Sequence, residues 1–311
     1  MSDNSRIKYI VALILGLLCW SVVPVFIRYL NENDVGNFTQ NLYRYIPACL
    51  LLWTLSLLLF RRHLRIGGRA LLCLLGPMVI MSGHQLLWVQ AIKMTSPTTT
   101  ILLTQFQVVI VGLLTWIFFH DERSTIRSPN FLIGTFLALV GVIGFIIGSG
   151  KTVEGGLTGY LVVLLTAAVW GCYTVSAKAA IKGLHPVVSF TVVSTGVLCF
   201  FVCTTPCLGD PGKIVEFPGG VLAALVVSGV VGIALAHLFF YTALKGLGAA
   251  VCGASILVLP FLTGTWSYLV FTETLEPLQI LFGAILLTGA AFTMKRTSSP
   301  TSATTDEPPE K

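Results

Sequence analysis

The sequence predicts an all-α membrane protein of ten transmembrane helices arranged as two inverted five-helix repeats. Three observations carry that expectation: few charges, apolar blocks of bilayer length, and similarity between the two halves. Only 10% of the 311 residues are Asp, Glu, Lys or Arg, while 55% are hydrophobic, and the mean hydropathy is +0.88. A soluble globule carries about 25% charged residues, so this chain cannot cover a water-facing surface and a soluble enzyme is excluded. The blocks run to about 20 residues, the length that crosses a hydrocarbon core of roughly 30 Å. Barrel strands would alternate in polarity over about 10 residues, and these blocks do not.

Taken in order, the first block is Ile10–Leu30, longer than the apolar core of a signal peptide and followed by no small-residue cleavage site, so it is expected to be retained. Gln40–Phe60 ends at an Arg cluster, and Leu71–Ile92 follows Gly67, Gly68 and Arg69. Pro97–Phe119 opens on proline and stops at charged residues; Asn130–Ser149 is rich in glycine. The second half repeats the plan with Leu157–Ala177, Val187–Leu208, Gly219–Thr242, Gly248–Phe271 and Pro277–Met294. Each block can satisfy its own backbone as a helix, as hydrocarbon demands. The polar, Pro-containing tail from Thr297 is expected to be disordered.

Orientation follows from Lys and Arg. Fourteen of the nineteen fall on the side of the N-terminus, among them Arg61, Arg62, Arg65, Arg69, Arg123 and Arg127. Four fall on the other (Arg28, Lys93, Lys151, Lys213), and Arg44 lies inside the second block. Both termini are therefore expected in the cytoplasm of a cell (inner) membrane protein. The net charge of +6 reflects topology rather than a nucleic-acid surface.

Trp20 precedes Arg28 by eight residues, and Trp170 precedes Lys178 by eight. At a second offset, Ala91, Lys93, Phe119 and Asp121 match Ala243, Lys245, Phe271 and Glu273. These matches divide the chain into a repeat over 1–150, a second over 151–296 and the tail 297–311. Five helices per repeat is odd, so the second copy enters the membrane from the opposite face. Inverted repeats of this kind are characteristic of secondary transporters, with the substrate site near midplane where the halves meet.

The run GLLCWSVVPVFIRYL (16–30) resembles the first helix of the EamA family of the drug/metabolite transporter superfamily. Residues 237–289, with an aromatic-Ala-Leu-Lys motif, mid-helix Pro260 and Glu273, resemble the end of an EamA repeat. The first repeat departs from the pattern at the Pro260 equivalent, near Val109. The resemblance covers about residues 10–294. It implies ten helices, alternating access and a central cavity lined by the first, third, fourth, sixth, eighth and ninth.

Polar and aromatic residues at helical spacing supply the candidate substrate-binding set. The first block carries Trp20 and Pro24 in line with Arg28; the sixth carries Trp170, Tyr173 and Thr174 in line with Lys178. The third offers His84 and Trp88, the fourth Thr104 and Gln107 below Thr100, and the eighth His237 and Tyr241 above Lys245. Such stripes face a bundle interior or a wet cavity; the alternatives are interhelical hydrogen bonding, snorkelling of Lys and Arg, and packing of tryptophan. Pro24, Pro47, Pro77 and Pro260 are expected to interrupt helices and free carbonyls. No carboxylate falls near midplane, which argues against a proton-for-cation exchanger and leaves His84 and His237, titrating near pH 6.5, as relay candidates.

Other motifs are set aside. GSGKT at 148–152 lacks the upstream glycine and the strand of a phosphate loop. The row Cys199, Cys203, Cys207 has no His or Asp to complete a metal site and reads as buried apolar cysteine. No catalytic residue, cofactor or metal is indicated, and the partners expected are a small-molecule substrate and the bilayer, without nucleic acid. The fifth and tenth blocks read as scaffold or as the face of a homodimer. The function expected is a secondary transporter, an exporter of small organic metabolites such as amino acids. Alternatives within transport are nucleotide-like metabolite uptake and lipid-carrier flipping. A membrane-embedded lipid enzyme is disfavoured, since no Asp, Glu and His cluster forms at one interface. A channel is disfavoured because the polar stripes are discontinuous.

Overall fold

The computed structural model describes residues 3–118, 128–148, 156–180, 184–247 and 255–294, and the regular structure among them is entirely helical. Helix α1 is Asp3–Glu32, α2 Asn37–Leu59 and α3 Gly68–Met94. The fourth block is broken: α4 (Pro97–Leu103) passes through a 3₁₀ turn, Thr104–Phe106, into α5 (Gln107–Phe118). Then come α6 (Pro129–Gly148), α7 (Gly156–Ala180) and α8 (Pro186–Leu208). The eighth block is also interrupted, with α9 (Gly219–Gly229) leading through a π-helical turn, Val230–Leu235, into α10 (Ala236–Leu247). Helices α11 (Leu259–Phe271) and α12 (Pro277–Met294) complete the described chain.

Among the described residues, eight stretches are long and apolar enough to cross a membrane, the α4–α5 and α9–α10 rods each counting as one, and α12 contributes a shorter apolar helix. The fourth and eighth blocks were expected as continuous helices; each instead keeps its backbone bonded through a local change of winding. Pro260 also departs from expectation. It sits in the first turn of α11, where its missing N–H costs nothing, and so starts a helix rather than interrupting one. Pro24, Pro47 and Pro77 do lie inside helices. Pro24 removes the N–H that the Trp20 carbonyl would accept. One residue on, the Ser21 carbonyl accepts the Thr263 hydroxyl (2.9 Å) and the Ser21 hydroxyl accepts the Trp266 indole N–H (3.2 Å), tying α11 to α1.

The two halves pack mainly across one another, and the contacts come in exchange-related pairs. Helix α1 lies on α10 and α11; its counterpart α7 lies on α3 and the α4–α5 rod. Helix α2 lies on α9, and its counterpart α8 lies on α3. The remaining pairs, α2 with α8, α4 with α11 and α6 with α12, join a helix to its own counterpart. The α6–α12 seam is the tightest of these because glycine permits it: a Cβ on Gly141 would fall 2.5 Å from the Leu286 nitrogen, and one on Gly144 would fall 2.1 Å from the Phe282 ring. Small residues let membrane helices approach in this way.

The cysteine row is not buried. Cys199, Cys203 and Cys207 are exposed on α8, pointing out of the bundle, because the inner face of that helix is taken by Phe190, Val193, Val197 and Phe201. Cys252, GSGKT beyond Gly148, Asp121 and the tail lie outside the described residues.

Candidate functional site

Between the two halves lies a cavity of about 370 Å³. Its walls are aromatic. Trp20 of α1 meets His237 in a T-shaped contact (centroids 5.1 Å apart) and Phe240 in a tilted one (4.8 Å). Trp170 of α7 meets His84 (4.9 Å), which stacks in turn beside Trp88 (6.0 Å). All of these residues line the cavity. The two Trp–His contacts are exchange-related, one joining α1 to α10 and the other α7 to α3. The histidines are one residue out of step with the offset that relates Ala91 and Lys93 to Ala243 and Lys245, so sequence comparison does not pair them. The π turn just before His237 turns the downstream face of the rod relative to the upstream one.

The two imidazoles differ in their bonding. His237 Nδ1 lies 2.8 Å from the Ile233 carbonyl and its ring stacks on Phe190 at 4.0 Å. In the neutral ring that nitrogen donates, leaving Nε2 as acceptor. His84 Nδ1 is buried with no hydrogen-bond partner. Thr104, Gln107 and Thr174 also line the cavity, but both threonine hydroxyls are spent on their own helices, on the Ile101 and Trp170 carbonyls at 2.9 Å. Pro24, Tyr173 and Tyr241 do not line it. Pro24 is buried within α1; Tyr173 packs behind Trp170 at 5.3 Å and Tyr241 behind Phe190 at 5.9 Å. Thr100 turns away to share a hydrogen bond with Thr95 (2.8 Å). The side chains of Lys178 and Lys245 lie outside the described set.

Three polar residues of the wall, besides Tyr45, escaped the sequence reading. One is Gln85 of α3, whose Nε2 lies 3.8 Å from the Met81 sulfur. The 3₁₀ turn brings Gln105 into the cavity beside Thr104 and Gln107; its Nε2 donates to the Ile101 carbonyl (3.1 Å) and its buried Oε1 has no partner. The third is Arg44, seven residues into α2, which with Tyr45 lines the cavity from a helix not expected there. Arg44 is 1% exposed, its Nε donates to the Ser228 hydroxyl (3.2 Å), and its Nη1 has no partner. A signal for it existed, because an arginine inside an apolar block is a functional candidate by default. Its place is fixed by Gly229, where a Cβ would stand 2.1 Å from the Arg44 carbonyl oxygen. Among the described residues lining the cavity there is no Asp, Glu or Lys.

A second, more polar pocket of about 520 Å³ lies at the end of the bundle where α1, α3 and α11 finish. Glu273 organises it. Its carboxylate accepts the hydroxyls of Ser96 and Ser267 and lies 3.9 Å from the Arg28 guanidinium. Arg28 also pairs with Glu32 (2.9 Å) and sits over the Phe271 ring at 4.5 Å. Nearby, the Asn31 side chain donates to the Val89 carbonyl (3.4 Å) and accepts from Gln40 (3.2 Å). Helices α1, α2, α3, α4 and α11 are thus stitched together at this end.

The sequence profile of the EamA-like transporter family matches residues 7–147 and 157–295. A Haemophilus influenzae protein described as an uncharacterized transporter is 25% identical over 305 residues, covering 94% of this chain and 96% of that one. A protein solved by crystallography shares the fold, with a TM-score of 0.59 and 17% identity over 94% of this chain and 98% of its own. The family profile spans both halves almost entirely, on either side of the cavity they enclose, and the chain belongs to the EamA-like transporter family.

Proposed function

We propose that this protein is a secondary transporter carrying small organic metabolites such as amino acids, as an exporter, by alternating access around the central cavity. The observation that carries the proposal is the 370 Å³ aromatic-walled cavity at the seam of two family-matched halves. Exchange-related helix contacts support two repeats of inverted topology and ten crossings, since five helices per half reverse the second copy. The charge bias supports cytoplasmic termini in the cell membrane, which puts the Arg28 end outside. In this arrangement the Arg28–Glu273 cluster closes the outer end, and a transport cycle must open it. Counterflow in proteoliposomes tests the proposal: a transporter loaded with unlabelled solute accumulates labelled solute transiently. Solute flux that never overshoots equilibrium would indicate a channel, and chemical change of a lipid would indicate an enzyme.

A further inference from the structure

We infer that the central cavity recognises a carboxylate group on its solute, and that Arg44 is the residue that binds it. The inference rests on the transport reading and names the chemical class that the cavity accepts. Arg44 is fully charged under all ordinary conditions and is 1% exposed. A buried cation without a counter-charge is strongly unfavourable, and among the described residues Arg44 has none: its hydrogen-bond partner is the neutral Ser228 hydroxyl, and its Nη1 is unbonded. No carboxylate among the described residues lines the cavity. The missing anion is therefore supplied from outside the chain, and the cavity is where it can enter.

The type of anion follows from charge and lining. One guanidinium balances one negative charge. A phosphate dianion would leave a net negative charge in a cavity whose remaining walls are neutral or aromatic, whereas a carboxylate leaves none. A guanidinium also matches the planar geometry of a carboxylate. The rest of the solute meets Trp20, Trp88, Trp170 and Phe240, which suit an aromatic or branched aliphatic body. The unpartnered acceptor Gln105 Oε1 offers a place for a donor on the same solute, such as an ammonium or hydroxyl. The charge balance favours a monocarboxylate; a zwitterionic amino acid offers Arg44 the same carboxylate but brings a second cation, which the neutral Gln105 acceptor solvates without neutralising.

Arg44 could instead serve only to hold α2 against α9 through Ser228, and the test separates the two roles. Full-length protein in detergent is titrated with 3-phenylpropanoate, 4-methylpentanoate and phenylalanine, each against its primary amide, and with phenyl phosphate, and thermal stabilisation is followed. At least one acid is expected to bind about 10- to 100-fold more tightly than its amide, as for a hydrogen bond to a charged group, and the acid that does so tells monocarboxylate from amino acid. Arg44→Gln should bring that ratio to about one, and Arg44→Lys should leave an intermediate ratio. A wild-type ratio of one, a ratio that survives in Arg44→Gln, or tightest binding of phenyl phosphate would each overturn the assignment. The wild-type ratio decides even where Arg44→Gln does not fold. Acid and amide bound equally would sink this inference alone; no binding and no counterflow by any probe, charged or neutral, would sink the transport reading with it.

Discussion

Replacing Glu273 by Gln keeps the shape of the side chain at the Arg28 cluster and removes its charge. Glu273 accepts from Ser96 and Ser267 and faces Arg28 at 3.9 Å. Hydrogen bonds to a charged group are worth about 1.5–3 kcal/mol and neutral ones about 0.5–1.5, so each serine contact weakens by about 1 kcal/mol. Two unit charges 4 Å apart at an effective dielectric of 20 attract by about 4 kcal/mol, but Arg28 is part-exposed and keeps Glu32 at 2.9 Å, so only about half of that is lost on substitution. Closure of this end should weaken by about 2–4 kcal/mol, which at 1.4 kcal/mol per decade is about 30- to 700-fold in the open population. A membrane-impermeant maleimide applied to intact cells reads this directly on Gln107→Cys, a cavity position, in a background with the native cysteines removed. Labelling should accelerate by that factor in Glu273→Gln, and by about tenfold in Ser267→Ala, which removes one donor. Labelling no faster in Glu273→Gln than in its parent would refute the assignment of this cluster as the closure.

Gly229→Ala should lower stability by about 1–3 kcal/mol, the usual range for overpacking, because its Cβ would meet the Arg44 carbonyl at 2.1 Å; the midpoint of thermal unfolding in detergent measures it. Trp20→Ala and Trp170→Ala should each impair transport severely while leaving membrane levels near normal, since both are only partly buried cavity residues, and quantitative blots beside counterflow separate the two effects. Tags on either terminus should be reachable only after permeabilisation; labelling of a C-terminal tag on intact cells would contradict an even number of crossings. His84→Gln and His237→Gln should leave no pH-gradient-driven accumulation if either imidazole relays protons, and strong accumulation surviving both would place the coupling elsewhere.

Much of this fold is written in composition. Blocks of about 20 apolar residues must be helices because hydrocarbon leaves their backbones no other partner, so α2, α3, α6, α7, α8 and α12 begin and end within a few residues of where hydropathy puts them. The breaks at Thr104–Phe106 and Val230–Leu235 are not legible in the sequence, since neither contains a proline and hydropathy reads the same in 3₁₀, α or π winding. Of the residues that spacing singled out, Trp20, His84, Trp88, Thr104, Gln107, Trp170, Thr174 and His237 stand on the cavity wall. Tyr173 and Tyr241 share helix faces with cavity residues but stand one layer behind them. Spacing did not point to Arg44, because the placing of α2 beside the cavity depends on Gly229, on a helix almost two hundred positions away. Which side of α8 faces lipid, and hence where Cys199, Cys203 and Cys207 point, is likewise set by its neighbours rather than by its own sequence.

The crosswise packing of the two halves has a consequence for how the protein is made. Helix α1 is synthesised first, yet the surface it packs against belongs to α10, about 200 residues later in the chain. At about 5–20 residues per second of synthesis, α1 waits roughly 10–40 s in the bilayer before its partner exists. Helix α3 waits in the same way for α7. During that interval Trp20 and Arg44 must be tolerated by lipid, by the insertion machinery or by temporary neighbours, and neither half can complete its interior alone. A chain cut between Gly148 and Gly156 should therefore yield fragments that are degraded singly and recovered together, each half acting as the folding template of the other.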